Sequence, residues 1–153
     1  MFRSAATGER RGEADGVDQF ALPLVVLVRR EADVVVACQK GRAMAAQVGF
    51  SRERQFAISV AIAEVARNVV KYAGRGEITM RPCLQQDGRT GLLVVARDEG
   101  PGIPDVEQAL QDGYSTGGGL GIGLSGAKRL MDEFEIVSRV GQGTTIVMTK
   151  WKQ

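Results

Sequence analysis

Residues 51–73 read SRERQFAISVAIAEVARNVVKYA, and within them Ile58, Ile62, Val65, Val69 and Tyr72 recur at helical spacing. A stripe of that length is satisfied only when one long helix lies against a second layer, so the segment predicts an amphipathic helix facing a core. Ser51 supplies an N-cap, while Arg54 stands where a full capping box would place Glu. Gly74 and Gly76 end the pattern.

The rest of the chain arranges itself around that helix. A Leu- and Val-rich run at 22–28 predicts a strand that could be buried on both faces, and a helix follows from about Glu31 to a stop at Gly49. Strands are expected at 77–81 and 92–98 across the turn signal Asp87-Gly88. A short helix at 105–110, a helix at 121–132, and strands at 135–140 and 144–150 around Gly141-Gln142-Gly143 complete the layout. Helices on one side and mostly hairpin-joined strands on the other predict a two-layer α/β (α+β) sandwich. Residues 1–19 are rich in charge and glycine and poor in large apolar groups, which predicts a flexible tail ahead of one domain at 20–153.

Composition narrows the chemistry. The chain has no histidine, which removes a Ser-His-Asp triad, a His-ligated zinc centre and autophosphorylation on an internal histidine, and leaves catalysis to carboxylates. Cys38 and Cys83 lack any CxxC spacing, so neither a zinc site nor a disulfide framework is indicated. The charge of +2 leaves only a local basic face as a route to nucleic acid, and none is expected as a partner. The longest apolar run, 20–28, contains Pro23 and ends in Arg29-Arg30. It is too short for a membrane span and unlike a signal peptide, so a soluble, cytoplasmic protein is expected.

Three groups of polar residues and glycines carry the functional signal. Glu64 and Asn68 are four apart and project from one helical face, with Lys71 close to the same line, so they can converge on one ligand. Asn offers Mg²⁺ an oxygen ligand, with phosphates completing the shell. Asp98 ends a predicted strand just before Gly100 and Gly102, where the backbone can approach a flat ligand and the carboxylate can accept from an exocyclic amine. Gly117, Gly118, Gly119, Leu120, Gly121, Ile122 and Gly123 run into a helix whose first amides can hold an anion. No Gly-Lys-Ser or Gly-Lys-Thr follows, so this is not a Walker A loop, and the strand context for a dinucleotide fingerprint is missing. Thr144, opening the last strand, is uninformative alone. The segment 101–119 between these groups reads as a mobile lid that nucleotide would order.

Taken in order, Glu64-Val65-Ala66-Arg67-Asn68, Asp98-Glu99-Gly100-Pro101-Gly102, the run Gly117 to Gly123, and Gly143-Thr144-Thr145 resemble the nucleotide boxes of the ATPase and kinase superfamily of gyrase, the Hsp90 chaperones, histidine kinases and MutL. Within it the chain is most similar to the small serine kinases that regulate sigma factors, in particular the stressosome switch kinases. The likeness extends through Tyr72-Ala73-Gly74, Asp112-Gly113-Tyr114-Ser115-Thr116 and Lys128-Arg129-Leu130-Met131-Asp132-Glu133-Phe134, from about residue 22 to the end. The resemblance implies a Bergerat-type, histidine-kinase-like ATPase fold: a mixed, mostly antiparallel sheet with helices on one face. It implies ATP and Mg²⁺ as cofactors, Glu64 as general base, Asn68 on the metal, Asp98 on the adenine amine, and Thr144 supporting adenine through a water. Gly100 and Gly102 would shape the adenine pocket, and Gly119, Gly121 and Gly123 would pass the triphosphate. With Lys71, Gly117 and Leu120, these are the expected nucleotide-site residues.

The implied activity is that of an ATP-dependent protein serine/threonine kinase acting on a STAS-type antagonist in a stress-response partner switch, and activating a PP2C-type phosphatase by contact. The alternatives are an anti-sigma factor that sequesters a sigma factor, and a nucleotide-gated adaptor without kinase activity. A detached histidine-kinase catalytic domain fits less well, since no histidine-bearing helix accompanies it.

Overall fold

The structure, a computed structural model, describes residues 22–111 and 122–153. The expected tail at 1–19 and most of the glycine run lie outside these residues. The elements in chain order are β1 Leu24–Val28, α1 Glu31–Val48, α2 Arg52–Asn68 continued by a π-helical turn Val69–Ala73, β2 Gly76–Leu84, β3 Thr90–Asp98, α3 Val106–Ala109, α4 Gly123–Leu130, β4 Glu133–Arg139 and β5 Gly143–Trp151.

The strands form one sheet in the order β1-β2-β3-β5-β4. Every described pairing is antiparallel, so the mixed character expected of the sheet is absent among the described residues. The reason lies in the connections. Two helices, α1 and α2, separate β1 from β2, and two helices joined across a short loop reverse the chain before it re-enters the sheet. β2–β3 and β4–β5 are direct hairpin partners.

Alternation along each strand sends one side chain in two to the helices. Val26 and Val28, Ile78 and Met80, Leu92, Val94 and Ala96, and Ile146 and Met148 meet Val34, Ala37 and Ala45 of α1 and Ile58, Ile62 and Val65 of α2 in one core. α4 packs against α2. Because the described helices cover one face only, β1 is buried among the described residues on one face rather than both: Val25 and Leu27 are exposed on the open side. Ser51 caps α2 as expected, its Oγ accepting from the Arg54 N–H at 3.3 Å. At α1 the Asp33 carboxylate reaches back to the Arg29 and Arg30 amides at 2.9 and 3.2 Å. No helix among the described residues is long and apolar enough to cross a membrane.

Ile62 is fully buried between α1 and the sheet, so Ile62→Ala should lower stability by about 2–5 kcal/mol. Urea unfolding checks this: the midpoint should fall with no change in slope.

Candidate nucleotide site

Residues 61–66 of α2 are buried without interruption, and Glu64, 9% exposed, sits inside that run. A carboxylate so placed requires hydrogen-bond partners. Its Oε2 accepts the Gly123 N–H at 3.1 Å, and its Oε1 lies 3.3 Å from Arg67 Nη1. Arg67 Nε in turn lies 3.3 Å from Glu31 Oε1. One turn beyond Glu64, half-buried Asn68 ends the α-helical part of the segment, so the two hard oxygen donors share a face as expected.

Past Asn68 the ladder lengthens from four residues to five, and the turn closes with the Gly74 N–H on the Val69 carbonyl at 3.0 Å. This extra residue per turn moves residues 70–73 off the α-helical line. Tyr72, expected in the core stripe, is 43% exposed, and the Lys71 ammonium lies 5.2 Å from the centroid of its ring. Single π-turns of this kind recur at functional sites because they re-aim side chains without ending a helix.

The second wall forms around Asp98. Register sets it between Gly76 of β2 and Thr144 of β5, and it is 8% exposed. Its Oδ1 accepts the Gly100 N–H at 2.9 Å and so shapes the turn, while Oδ2 makes no hydrogen bond among the described residues. Gly100 lies where a Cβ would come 2.5 Å from Ala73 Cβ, bringing this turn against the π-turn. Gly143 has φ +101° and a Cβ there would collide with the Asp98 carbonyl oxygen, so both its conformation and its bareness hold β5 to the end of β3.

A Cβ at Gly102, whose φ is +78°, would collide with the Arg139 carbonyl oxygen. Gly102 seats the turn on the β4–β5 hairpin, where the Gly141 N–H also donates to the Pro101 carbonyl at 2.8 Å. Thr144 Oγ1 is 2.8 Å from Ser138 Oγ, which also accepts from the Ile103 N–H at 2.7 Å. Ser138 was missed in sequence because a lone Ser on an amphipathic strand carries no signal. Gly76 in sequence signals only a helix stop, yet a Cβ there would lie 2.6 Å from Val69 Cγ1 and 3.1 Å from Asp98 Cβ.

The expected Gly117, Gly119, Leu120 and Gly121 lie outside the described residues. Gly123 opens α4, and its amide is turned onto Glu64 rather than left open. Of the segment 101–119 expected as a lid, residues 112–119 lie outside the described ones, and the described part, 101–111, holds α3, capped by Asp105 Oδ1 accepting from the Gln108 N–H at 3.0 Å. Burial pushes both cysteine thiols up from their ordinary range, Arg67 pulling Cys38 partly back. They are not poised as nucleophiles.

Asp98 thus ends a strand beside α2, and Glu64 and Asn68 occupy the last two turns of α2 proper, with glycine-bared backbone at the Asp98 end. The sequence pattern of the histidine kinase-like ATPase domain matches residues 27–150. The chain belongs to that family. This ATPase domain is similar to the serine/threonine-protein kinase RsbT of Bacillus subtilis (strain 168), 48% identical over 126 residues, which is 82% of this chain and 94% of RsbT. It is similar also to the anti-sigma F factor of Caldanaerobacter subterraneus subsp. tengcongensis, 35% identical over 115 residues, covering 71% of this chain and 78% of that factor. Among solved structures, full-length ShkA in complex with AMPPNP matches at TM-score 0.50 and 20% identity over 85% of this chain and 31% of ShkA, a likeness of fold. The expected superfamily and its RsbT-like branch are both borne out, and with the ATPase domain comes an ATP site.

Gly100→Ala should force Ala73 and Asp98 apart and weaken ATP binding while leaving the core intact. Calorimetric titration with ATP, alongside an unchanged far-ultraviolet dichroism spectrum, is the check.

Proposed function

We propose that the protein transfers the γ-phosphoryl group of ATP to a serine of a STAS-type antagonist, and that it also activates a PP2C-type phosphatase by contact. The enzyme class, an ATP-dependent protein serine/threonine kinase, rests on the family match and on 48% identity spanning 94% of RsbT. The observation that carries the mechanism is the spacing of roles along α2 and β3. A buried carboxylate, Glu64, and an amide oxygen, Asn68, lie one turn apart, and Asp98 presents, beside bare glycine backbone, an oxygen with no hydrogen bond among the described residues.

When bound, Mg²⁺-ATP supplies the phosphoryl group and the charge neutralisation that its transfer needs. Asp98 Oδ2 accepts from the adenine amino group, and Ser138 holds the Thr144 hydroxyl in place beside it. The Asn68 carbonyl oxygen suits a hard cation whose remaining ligands come from phosphate and water. Glu64 accepts the serine hydroxyl proton as the new oxygen–phosphorus bond forms and ADP departs. Lys71, Gly117, Gly119 and Gly121 remain proposed phosphate contacts.

Similarity to anti-sigma F factors supports a second reading, sequestration of a sigma factor. Recovery of a sigma factor rather than a phosphatase on the immobilised protein would favour it.

Asp98→Asn places an amide where a carboxylate accepted. ATP affinity should fall roughly tenfold or more, since a hydrogen bond to a charged group contributes about 1.5–3 kcal/mol. GTP should bind poorly to the native protein, its ring offering an acceptor where adenine offers a donor. Equal affinities for ATP and GTP would overturn the adenine assignment. Glu64→Gln should keep ATP affinity while losing about 10²- to 10⁴-fold in phosphate incorporation into the antagonist under single-turnover conditions. Asn68→Ala should instead damage Mg²⁺-dependent ATP binding itself.

A further inference from the structure

Arg67 is none of the expected ligands, yet its guanidinium spans two carboxylates. Nη1 faces Glu64 Oε1 and Nε faces Glu31 Oε1, each at 3.3 Å, although Glu31 precedes Arg67 by 36 positions and opens a different helix. The side chains grade from surface to interior: Glu31 is 66% exposed, Arg67 49% and Glu64 9%.

An ion pair this exposed contributes little to stability, because water screens it. Its effect is directional. The last torsion of a glutamate is broad and close to two-fold, so a lone carboxylate samples many planes. Here the Gly123 amide grips one oxygen and Arg67 the other, which fixes the plane. The planar fork of Arg67 is itself aligned by Glu31 through a separate nitrogen, so two donors of fixed relative geometry point at two carboxylates. Each Glu64 oxygen keeps a second lone pair for an incoming hydroxyl.

We infer that Arg67, aligned by Glu31, is a positioning residue that orients the Glu64 carboxylate toward the hydroxyl of the protein substrate. The inference rests on the reading of Glu64 as general base. It makes the transfer rate depend on the contact between the first turn of α1 and the last turn of α2, a dependence that ATP binding does not share.

The test compares wild type, Arg67→Ala, Arg67→Lys, Glu31→Gln, the Glu31→Gln/Arg67→Ala double variant and Glu64→Gln, as full chains. Single-turnover phosphate incorporation into a STAS-type antagonist and the KM for ATP are measured, with thermal unfolding confirming the fold of each. Arg67→Ala should slow transfer by about 10- to 100-fold, the scale of a misplaced catalytic group, with the KM for ATP unchanged. Arg67→Lys should recover part of the rate, because a cation that can reach Glu64 is restored. Glu31→Gln should cost less, and little further once Arg67 is gone, since its effect runs through that residue. A wild-type rate for Arg67→Ala, a rise in KM matching the fall in rate, or a Glu31→Gln effect that multiplies fully with Arg67→Ala would overturn the inference. If that happens while Glu64→Gln is still inactive, the general-base reading stands and only the positioning role falls. A wild-type rate for Glu64→Gln removes both.

Discussion

The site depends first on the burial of one carboxylate. Glu64 lies in a stretch of α2 whose neighbours face the core, and a charge there is tolerated only with hydrogen bonds on both oxygens. Those bonds come from the first amide of α4 and from Arg67, which reaches on to α1. A single buried group therefore ties three helices together at the end of the molecule where phosphate chemistry is proposed. The same packing makes α2 both the main core helix and the carrier of Glu64 and Asn68, the proposed base and metal ligand.

The opposite end of the site is set by strand register. Asp98 stands between Gly76 and Thr144, and the missing side chains at Gly76, Gly100 and Gly143 let Val69, Ala73 and the Asp98 backbone approach one another. The π-turn links the two ends: it follows Asn68 directly and brings Ala73 over Gly100. The Ser138–Thr144 pair and the seat of Gly102 on Arg139 hold the turn from the hairpin side. A side chain added at any of these glycines would meet neighbouring protein atoms and displace the backbone of this turn.

Likeness to ShkA at 20% identity shows how little of the sequence the frame itself requires. A helix pair over an antiparallel sheet needs alternation, a helical stripe and turns. Function has to be argued from the groups grafted onto that frame, since one fold hosts many chemistries. The chain as a whole matches RsbT far more closely than the frame alone demands, at 48% identity over 126 residues.

Periodicity and turn chemistry made the element order, the α2 stripe from Ile58 to Val69 and the Ser51 cap legible in the sequence, because each is a relation between residues near in the chain. Relations between distant residues were not. The antiparallel pairing of β1 with β2 followed from the helix pair that reverses the chain between them, and the exposure of Val25 and Leu27 from the lack of a second helical layer among the described residues. Tyr72 left the core stripe because a π-turn, which no local pattern announces, breaks the 3.6-residue period. Ser138, Gly76 and the Glu31–Arg67–Glu64 chain became visible only when register and helix packing placed them within contact distance. The sequence by itself determined which chemical groups the protein carries and the elements that bear them. Tertiary structure alone decided which groups touch, because hydrogen bonds and close backbone contacts are set by separation in space.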